Sequence, residues 1–535
     1  MRAARLHIRA NATLSSVVVT ESPPRAGVRL PGVSSAFDRV VARLSRPSFY
    51  SPPPSHVDVR ETHVSVVFLA GDRAYKLKKP VRLPFLDYST LERRRRFCEE
   101  EVRLNRRFAP DVYLGVRQIE EEYAVVMRRF DEDSTLDRIV LRGDGDERLA
   151  ERIGTRIAEV HLEAPVAPPG YWTPSYVRKR LDENFETTRP EVGLLVDRPA
   201  FDAVRRFSYA FLDAHAPLLE RRIAAGMVRD VHGDLRAEHV LIEPHGVSLV
   251  DCVDFDDRLR RIDVAADLAF LVMDVERLGA RAFAEGVEAA YVRRTQDEEL
   301  RGLLPFYASY RAWVRAKVAA IRIHQLDARD PVRPELMGMA EALFALALRF
   351  AWRARLPLVV AFCGVAGSGK STLAGELSRR SGLPHLSSDH VRKELAGFAP
   401  ETRGPRALYT PERTAQTYRE LAQRVRAALT TAGGAIVDAT FQRADLRVVL
   451  SEADARVLWV QCIASPETLR SRTSVRERGP EQGSDATWRV ASAQLEKWEP
   501  LEEVAPADRH VLRTDRPLED CLDELDAFVS ASVDA

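Results

Sequence analysis

Alternating apolar residues predict a group of short strands near the start of the chain. The stretch 63–77 contains two such segments, VSVVFLA and AYKLK, joined by Gly71-Asp72-Arg73, a pattern typical of a β-hairpin. Apolar residues at helical spacing then predict a helix over 89–108, and two further strands are predicted over 112–119 and 123–129. This order indicates a small antiparallel sheet with one helix across it.

A mainly helical region follows and contains one more hairpin. Helical periodicity predicts helices over most of 135–223 and 264–352. Between them, the apolar segments 240–242 and 247–250 flank Glu243-Pro-His-Gly246, which predicts a second pair of strands.

The pattern changes at about residue 356. The segment LVVAFCGVAGSGKSTLAGEL predicts a buried strand, a glycine-rich turn and a helix. Short apolar segments near 384–386, 435–437, 457–462 and 509–512 then alternate with helical stretches. Such alternation is typical of a parallel sheet with helical crossovers.

The fold class predicted from these patterns is α/β and multidomain. Residues 1–36, rich in Arg, Ser, Pro and Val, are expected to be a disordered extension, although the composition superficially resembles a transit peptide. An α+β domain is expected over 37–350, and a three-layer α/β domain with a parallel sheet over 356–535. A chain of 535 residues with 45% apolar residues is long enough for at least two cores.

Charge and cysteine usage narrow the classes of function. The 80 basic and 79 acidic residues give a net charge of +1, so no overall field attracts nucleic acid or an anionic membrane. The 5 cysteines form no CxxC pair, which favours a reduced, cytoplasmic location. The longest apolar stretch, 356–363, is under half of the roughly 20 residues that a membrane helix needs. We therefore expect a cytoplasmic protein with no membrane contact and no extended nucleic-acid site.

A glycine-rich motif follows the first predicted strand of the C-terminal half. The segment GVAGSGKS matches the P-loop pattern and lies between a strand and a helix, as that loop requires. Glycines allow backbone N–H groups to surround phosphate, while a lysine reaches the outer phosphates and a serine hydroxyl binds Mg²⁺. The residues expected to bind ATP and Mg²⁺ in this way are Gly364, Gly367, Ser368, Gly369, Lys370, Ser371 and Thr372.

Three further features of this half have a functional and a purely structural explanation. Asp389 and Arg392 share a helix face near a strand end and fit an acceptor site, but a solvated helix start explains them too. Asp438 ends a predicted strand, as does the acid that binds Mg²⁺ beside a P-loop. Arg472 and Arg476 could close over phosphates as a lid, and an exposed Arg-rich helix explains them equally.

The P-loop, D-x-x-R, V-D-A-T and Arg-rich segment together resemble the small P-loop kinases, such as gluconate kinase, polynucleotide kinase and zeta toxin. The resemblance covers residues 356–535. It implies that Asp389 acts on the acceptor hydroxyl and that Arg392 binds the substrate. No motif identifies the acceptor.

Two acids in the N-terminal half flank the second predicted hairpin. Asp234 lies in Val-His-Gly-Asp-Leu-Arg before the first strand, and Asp251 follows the second. Acids in this order form the catalytic base and the metal ligand of protein-kinase-like phosphotransfer, although turn-capping aspartates have the same appearance.

The predicted sheet upstream supplies candidate nucleotide-binding residues. Lys76 and Lys78 share one face of a strand, and Glu101 lies on the next helix. A Lys–Glu pair of this kind positions nucleotide phosphates. Solvated surface charges are the alternative explanation.

The segment of about 37–350 therefore resembles the aminoglycoside phosphotransferase family, and thus a protein-kinase-like fold. The nearest resemblance is to proteins that join such a domain to a P-loop kinase in one chain. One position departs from the family: His239 stands where an Asn that binds Mg²⁺ usually lies, and neutral imidazole is a poor ligand for Mg²⁺. Either Asp251 and Asp254 bind the metal, or this domain binds nucleotide and transfers poorly. Because of its position in the motif, His239 is included with Asp251 among the expected metal-binding residues.

The resulting hypothesis is a bifunctional, ATP- and Mg²⁺-dependent phosphotransferase that acts on a hydroxyl of a small polar molecule. Two alternatives stay open. The N-terminal domain could be a degenerate module that senses nucleotide or ligand and regulates the P-loop domain. The P-loop domain could also act on nucleic-acid ends or nucleotide sugars, which would need a local basic groove.

Overall fold

The computed structural model describes residues 35–62, 64–83, 86–399, 402, 405–478 and 487–533. The chain divides into two compact units: residues through Tyr176 together with Leu219–Leu304, and Val177–Leu218 together with Pro305–Ala535. The extension predicted over 1–36 lies outside the described residues except for its last two. The second unit includes helices that the sequence analysis assigned to the N-terminal domain, and the predicted domain boundaries stay a prediction.

Up to residue 355, the predicted strands and helices occur in the predicted order. The strands are β1 (Val57–Glu61), β2 (Ser65–Ala70), β3 (Arg73–Lys78), β4 (Arg82–Leu83), β5 (Leu86–Asp87), β6 (Tyr113–Ile119), β7 (Glu122–Arg128), β8 (Val228–Asp230), β9 (Val240–Glu243), β10 (Gly246–Leu249) and β11 (Arg261–Asp263). The helices are α1 (Ser35–Leu44), α2 (Leu91–Asn105), α3 (Leu136–Arg142), α4 (Glu147–Glu163), α5 (Pro174–Thr188), α6 (Arg198–Ala224), α7 (Val264–Arg277), α8 (Arg281–Thr295), α9 (Glu299–Gln325) and α10 (Arg333–Arg353). The structure adds α1, β1, β4, β5, β8 and β11 to the predicted elements.

Strands and helices alternate after residue 355. The strands are β12 (Leu358–Cys363), β13 (His385–Ser387), β14 (Gly434–Asp438), β15 (Arg456–Ile463) and β16 (Arg509–Arg513). The helices are α11 (Lys370–Ser381), α12 (Ser388–Leu395), α13 (Pro411–Ala432), α14 (Ala444–Arg447), α15 (Pro466–Arg478), α16 (Trp488–Glu496) and α17 (Leu518–Val533). Within the residues described, no helix combines the length and the apolar character that crossing a membrane requires.

The first unit contains the predicted antiparallel sheet, in the order β1-β2-β3-β7-β6. One face packs against α1, where Phe37 and Leu44 share a buried cluster with Tyr75 and Leu77 of β3. The alternation of side chains along β3 therefore directs Lys76 and Lys78 to the opposite face. Helix α2 packs on that face, since residues of α2, β6 and β7 share the other buried cluster.

The N-terminus of α2 is fixed by a capping interaction that agrees with the predicted start of the helix. The Thr90 hydroxyl accepts a hydrogen bond from the Arg93 backbone N–H. This satisfies one of the N–H groups left unpaired in the first turn of a helix. The cap sets where α2 begins and thereby which of its residues face the lysines.

The second unit contains the predicted parallel sheet, in the order β13-β14-β12-β15-β16. Every residue of the central strand β12 is buried. The register pairs Ser387 of β13 with Asp438 of β14, and Asp438 with Phe362 of β12. Because these strands are parallel, the segments that follow β12, β13 and β14 meet at one edge of the sheet, where ligands bind in open α/β folds.

Two arginines that precede β12 form ion pairs with α17 within the second unit. Arg355 donates to Asp526 Oδ1 at 3.1 Å and to Ser530 Oγ at 2.7 Å. Arg206 of α6 donates to Asp526 Oδ2 at 3.1 Å and to Asp523 Oδ1 at 2.8 Å. Asp526 of α17 thus binds two guanidinium groups, which explains why this part of α6 belongs to the second unit.

Candidate active sites

Two lysines, one on each side of Glu101, form the centre of the first candidate site. Lys76 Nζ donates to Glu101 Oε1 at 2.9 Å and to Asp251 Oδ1 at 3.1 Å. Lys78 Nζ donates to Glu101 Oε2 at 2.7 Å and to Asp254 Oδ2 at 2.7 Å. The structure thus brings together the strand lysines, the helix glutamate and the acids after β10.

The two lysines differ in solvent access. The side chains of Lys78 and Glu101 are 3% and 2% exposed, whereas those of Lys76 and Asp251 are 18% and 28% exposed. Burial acts to lower the pKa of both lysines, but the carboxylates around each one outweigh it and raise that pKa well above its usual value. Lys76 and Asp251 therefore form the accessible pair, and Lys78 forms the enclosed one.

The loop that carries Asp234 is fixed by the carboxylate of Asp267 on α7. The backbone N–H groups of His232 and Gly233 donate to its two oxygens at 3.1 and 2.8 Å. Gly233 has φ +81°, and a Cβ there would lie 2.7 Å from the Leu259 carbonyl oxygen. The glycine of this motif is thus required by both its backbone conformation and its close packing.

Arg236, which the sequence analysis did not select, contacts the predicted catalytic base. Its Nε donates to Asp234 Oδ1 at 3.1 Å and its Nη2 to Asp234 Oδ2 at 2.9 Å, and its guanidinium also pairs with Glu238. The Arg236 side chain is buried, whereas that of Asp234 is 25% exposed. The arginine therefore fixes the orientation of the Asp234 carboxylate.

His239 is a neutral ring that lies between Asp234, the predicted catalytic base, and Asp251, the predicted metal ligand. Its Nδ1 lies 2.7 Å from the Asp234 carbonyl oxygen, which can only accept, so Nδ1 carries the proton. Nε2 accepts from Arg236 at 3.3 Å and lies 3.8 Å from Asp251 Oδ2. Burial, with the positive charge of Arg236, lowers the pKa of His239 to about 4.

Asp251 has a backbone conformation that few non-glycine residues adopt. Its φ is +61°, and its N–H donates to the Tyr113 hydroxyl at 3.0 Å. The next residue, Cys252, donates its N–H to Asn105 Oδ1 at 2.9 Å. Hydrogen bonds from the sheet and from α2 therefore place the Asp251 carboxylate beside Lys76.

Within the part of the chain that is described, no group of three or more His, Cys, Asp or Glu residues has the arrangement of a metal site. A cation that also binds nucleotide phosphates needs only one or two carboxylates from the protein. The oxygens of Asp251 fit that requirement for Mg²⁺, whereas Nε2 of His239 already accepts from Arg236.

In the second unit, the P-loop has the backbone geometry that the motif predicts. Gly364, Gly367 and Gly369 have φ of +145°, +81° and +85°. A Cβ on Gly364 would lie 2.5 Å from the Cys462 carbonyl oxygen, so the loop follows the sheet closely. Ser368 is fully buried and its Oγ has no hydrogen-bond partner in the structure, which leaves a polar atom available in this loop. Lys370, Ser371 and Thr372 begin α11 immediately after the loop.

Asp438 lies at the end of β14, near the P-loop. Burial acts to raise the pKa of Asp438, but His385, Lys370 and the Ser371 hydroxyl hold it below its usual value. The carboxylate is buried, and its Oδ2 lacks a hydrogen-bond partner of normal geometry. A buried, ionised carboxylate near a serine hydroxyl fits the oxygen ligand set of Mg²⁺.

Thr514 is a second residue that sequence reasoning missed, and it holds the P-loop backbone in place. Its hydroxyl donates to the Ser368 carbonyl oxygen at 2.7 Å. Arg472 of α15 donates to the Thr514 hydroxyl at 2.9 Å and to its carbonyl oxygen at 2.6 Å, and to the Gly367 carbonyl at 3.3 Å. Arg472, predicted as a lid residue, thus contacts the P-loop backbone and Thr514. The side chain of Arg476, the other predicted lid arginine, lies outside the described part of the structure.

The D-x-x-R motif lies on α12, at the same sheet edge. Asp389 Oδ2 accepts from Lys393 at 2.7 Å, and Asp389 Oδ1 accepts from the Tyr409 hydroxyl at 3.3 Å. Arg392 is buried and donates to the Leu408 carbonyl oxygen at 2.9 Å. Lys393 and Tyr409 were not among the predicted site residues.

Comparison with known proteins agrees with this division of sites. The family model described as "Phosphotransferase enzyme family" matches residues 66–306, and the one described as "AAA domain" matches residues 359–501. An uncharacterized protein of Mycobacterium tuberculosis strain H37Rv is 32% identical over 455 residues, which cover 82% of this chain and 89% of that protein. An uncharacterized protein of Mycobacterium bovis matches with the same identity and coverage. The chain belongs to their family.

This two-domain family member joins a phosphotransferase domain of protein-kinase-like fold to a P-loop kinase-type domain, as the sequence motifs predicted. A gluconokinase from Sinorhizobium meliloti is similar at 19% identity and a TM-score of 0.26, covering 34% of this chain and 95% of its own. A choline kinase from Cryptosporidium parvum is similar at 10% identity and a TM-score of 0.40, covering 59% of this chain and 95% of its own.

Proposed function

We propose that the chain is an ATP- and Mg²⁺-dependent phosphotransferase with two nucleotide sites, acting on a hydroxyl group of a small polar molecule. The observation that carries the proposal is the edge of the parallel sheet, where the P-loop follows β12, Asp389 follows β13, and Asp438 ends the strand between them, β14. These are the three parts that phosphoryl transfer needs: a phosphate cradle, a metal ligand and a carboxylate for the acceptor.

In the P-loop site, the backbone of 364–369 and Lys370 would bind the phosphates, and Ser371 with Asp438 would hold Mg²⁺. Bound there, the cation would offset the negative charge of the phosphates. Asp389 would accept the proton of the acceptor hydroxyl, with Lys393 fixing one of its oxygens. Catalysis then depends mainly on positioning and charge stabilisation.

In the other site, Lys76 would contact the nucleotide phosphates, Asp251 would hold Mg²⁺ and Asp234 would orient the acceptor. Both lysines were expected to contact nucleotide. We choose Lys76 over Lys78 because the side chain of Lys76 is the more exposed to solvent. We assign Lys78 the role of holding Glu101 and Asp254 in place. His239, expected as a metal ligand, is assigned to the positioning of Arg236 and the Asp234 loop.

A regulatory role for the first site is the second candidate function, and Arg236 favours it. An aspartate bound by two guanidinium nitrogens is a weaker proton acceptor than a free one, because protonation removes the negative charge that strengthens both hydrogen bonds. On this alternative the domain binds nucleotide without transfer. Asp234→Ala would then leave phosphotransfer to every acceptor unchanged.

Equilibrium binding of a fluorescent, non-hydrolysable ATP analogue to the full chain tests the two-site part of the proposal. The expected stoichiometry is two per chain for the wild type and one for either Lys370→Ala or Lys76→Met. Substitution of Lys497, a lysine outside both sites, by Met is the matched control and should retain two. If the wild type binds only one analogue per chain and one of the two variants still binds one, the site that carries that variant's substitution does not bind nucleotide.

A further inference from the structure

The acceptor carboxylate of the P-loop unit already contacts a hydroxyl group of the chain itself. Tyr409 lies at the end of a 3₁₀ turn, Arg406–Tyr409, and its hydroxyl is 3.3 Å from Asp389 Oδ1. The other carboxylate oxygen of Asp389, Oδ2, forms an ion pair with Lys393 Nζ at 2.7 Å. The oxygen that remains to receive a proton is therefore the one that faces the tyrosine.

On the proposed function, Asp389 orients the hydroxyl group that receives the phosphoryl group. It follows β13, whose last residue, Ser387, pairs in register with Asp438 of β14. Asp438 pairs in turn with Phe362 of β12, the strand that leads into the P-loop. Strand β14 lies between β12 and β13, and adjacent strands lie about 4.8 Å apart, so the strand that leads into the P-loop and the strand before Asp389 are about 10 Å apart. Tyr409 thus contacts Asp389 on the phosphate-binding edge of the sheet.

The surroundings of Tyr409 would also accommodate a phosphate. The tyrosine is 45% exposed, so a phosphoryl group on its hydroxyl need not be buried. The Arg392 guanidinium lies 4.8 Å from the centre of its ring, and the Lys393 ammonium is on the same carboxylate as the phenol. A phosphotyrosine carries a charge of about −1.5 to −2, which nearby cations stabilise.

We infer that Tyr409 is a site of self-phosphorylation by the P-loop unit, an inference that rests on the proposed function of that unit. The bond between the γ-phosphorus of ATP and its bridging oxygen breaks, and a bond from that phosphorus to Tyr409 Oη forms. The phenol proton passes to Asp389 Oδ1, and ADP leaves. The product places a phosphate against the acceptor carboxylate, so it blocks that site until the phosphate is removed.

The test is mass-spectrometric mapping of phosphate on the full chain after incubation with Mg²⁺ and ATP. The expected result is phosphate on Tyr409, formed at a rate independent of protein concentration because the transfer is intramolecular. The phosphate should be absent in Tyr409→Phe and in Lys370→Ala. Asp389→Asn should slow its formation by roughly 100-fold or more, the usual contribution of a positioned base.

Two controls separate this site from the other unit. Tyr171→Phe is the matched tyrosine control, because the Tyr171 hydroxyl also donates to an aspartate, Asp257 Oδ2, at 2.8 Å but lies in the first unit. Both Tyr171→Phe and Asp234→Ala should retain phosphate on Tyr409. Loss of the phosphate in Asp234→Ala would overturn the inference, because it would make the other domain the source.

The failure of the inference and that of the proposed function are distinguishable. Lys370-dependent transfer to added acceptors without phosphate on Tyr409 would overturn the self-phosphorylation and leave the proposed function intact. Absence of any Lys370-dependent transfer, to Tyr409 or to an added acceptor, would refute both.

Discussion

Replacement of Lys78 by Met should destabilise the first unit more than replacement of Lys76 by Met. Lys78 is enclosed, and its loss leaves Asp254 buried without a lysine while Glu101 keeps only Lys76. Removal of one partner from a buried ion pair costs about 3–5 kcal/mol of unfolding free energy. Lys76→Met leaves Glu101 paired with Lys78 and leaves Asp251 partly solvated, so we expect a cost of about 1–2 kcal/mol.

The assay must report on the first unit alone, because a chain of two compact units does not unfold in one step. Hydrogen exchange of peptides from β3 and α2 measures the opening free energy of the segments that carry the lysines and Glu101. A double variant, Lys78→Met with Asp254→Asn, removes the stranded charge and should recover at least about 1 kcal/mol.

Equal losses of protection in Lys78→Met and Lys76→Met would contradict this expectation, because the two lysines differ in burial. So would a double variant no more stable than Lys78→Met. Nucleotide affinity should separate the two variants further. Lys76→Met should lose affinity for nucleotide in this unit although it costs less stability than Lys78→Met.

Three further outcomes are expected. Burial lowers the pKa of Lys317 to about 8, so between pH 8 and 10.5 the unfolded chain binds more protons than the folded chain. The unfolding free energy of the second unit should therefore rise across that range by up to about 3 kcal/mol. Lys317→Met should abolish this rise in a pH series of hydrogen-exchange measurements on α9. His239→Asn should increase Mg²⁺-dependent turnover by the first site, measured as acceptor-dependent ADP formation in a Lys370→Ala background, and unchanged turnover would mean that His239 does not limit this site. Thr514→Val removes the hydroxyl that donates to the Ser368 carbonyl oxygen. The ATP affinity of the P-loop site, measured by fluorescence titration, should therefore fall by roughly 5-fold, or about 1 kcal/mol. Thr514→Ser keeps a hydroxyl and should preserve the affinity.

The parts of each site that follow a regular element could be predicted from the sequence. Alternation along β3 places Lys76 and Lys78 toward α2, and the pattern of buried strand, glycine-rich turn and helix places Lys370. These predictions work because strand and helix periods determine which side chains share a face.

The residues that were missed act through irregular segments. Arg236 binds an aspartate two residues away in a loop, where no periodicity indicates contact. Thr514 and Ser368 are 146 residues apart, and Tyr409 lies 20 residues beyond Asp389, after the helix that carries it. Such contacts depend on the tertiary fold, and only the structure reveals them.

Phosphotransfer by each of the two sites can be measured as transfer of label from γ-³²P-labelled ATP to pooled sugars, aminoglycosides, nucleosides and short oligonucleotides. The full chain, Lys370→Ala and Asp234→Ala are compared in the presence of Mg²⁺. We expect the wild type to label an acceptor. Lys370→Ala should abolish the label that depends on the P-loop site, and Asp234→Ala should abolish only the label that depends on the first site. Labelling that neither variant reduces, or no acceptor-dependent labelling by the wild type, would contradict the proposed function.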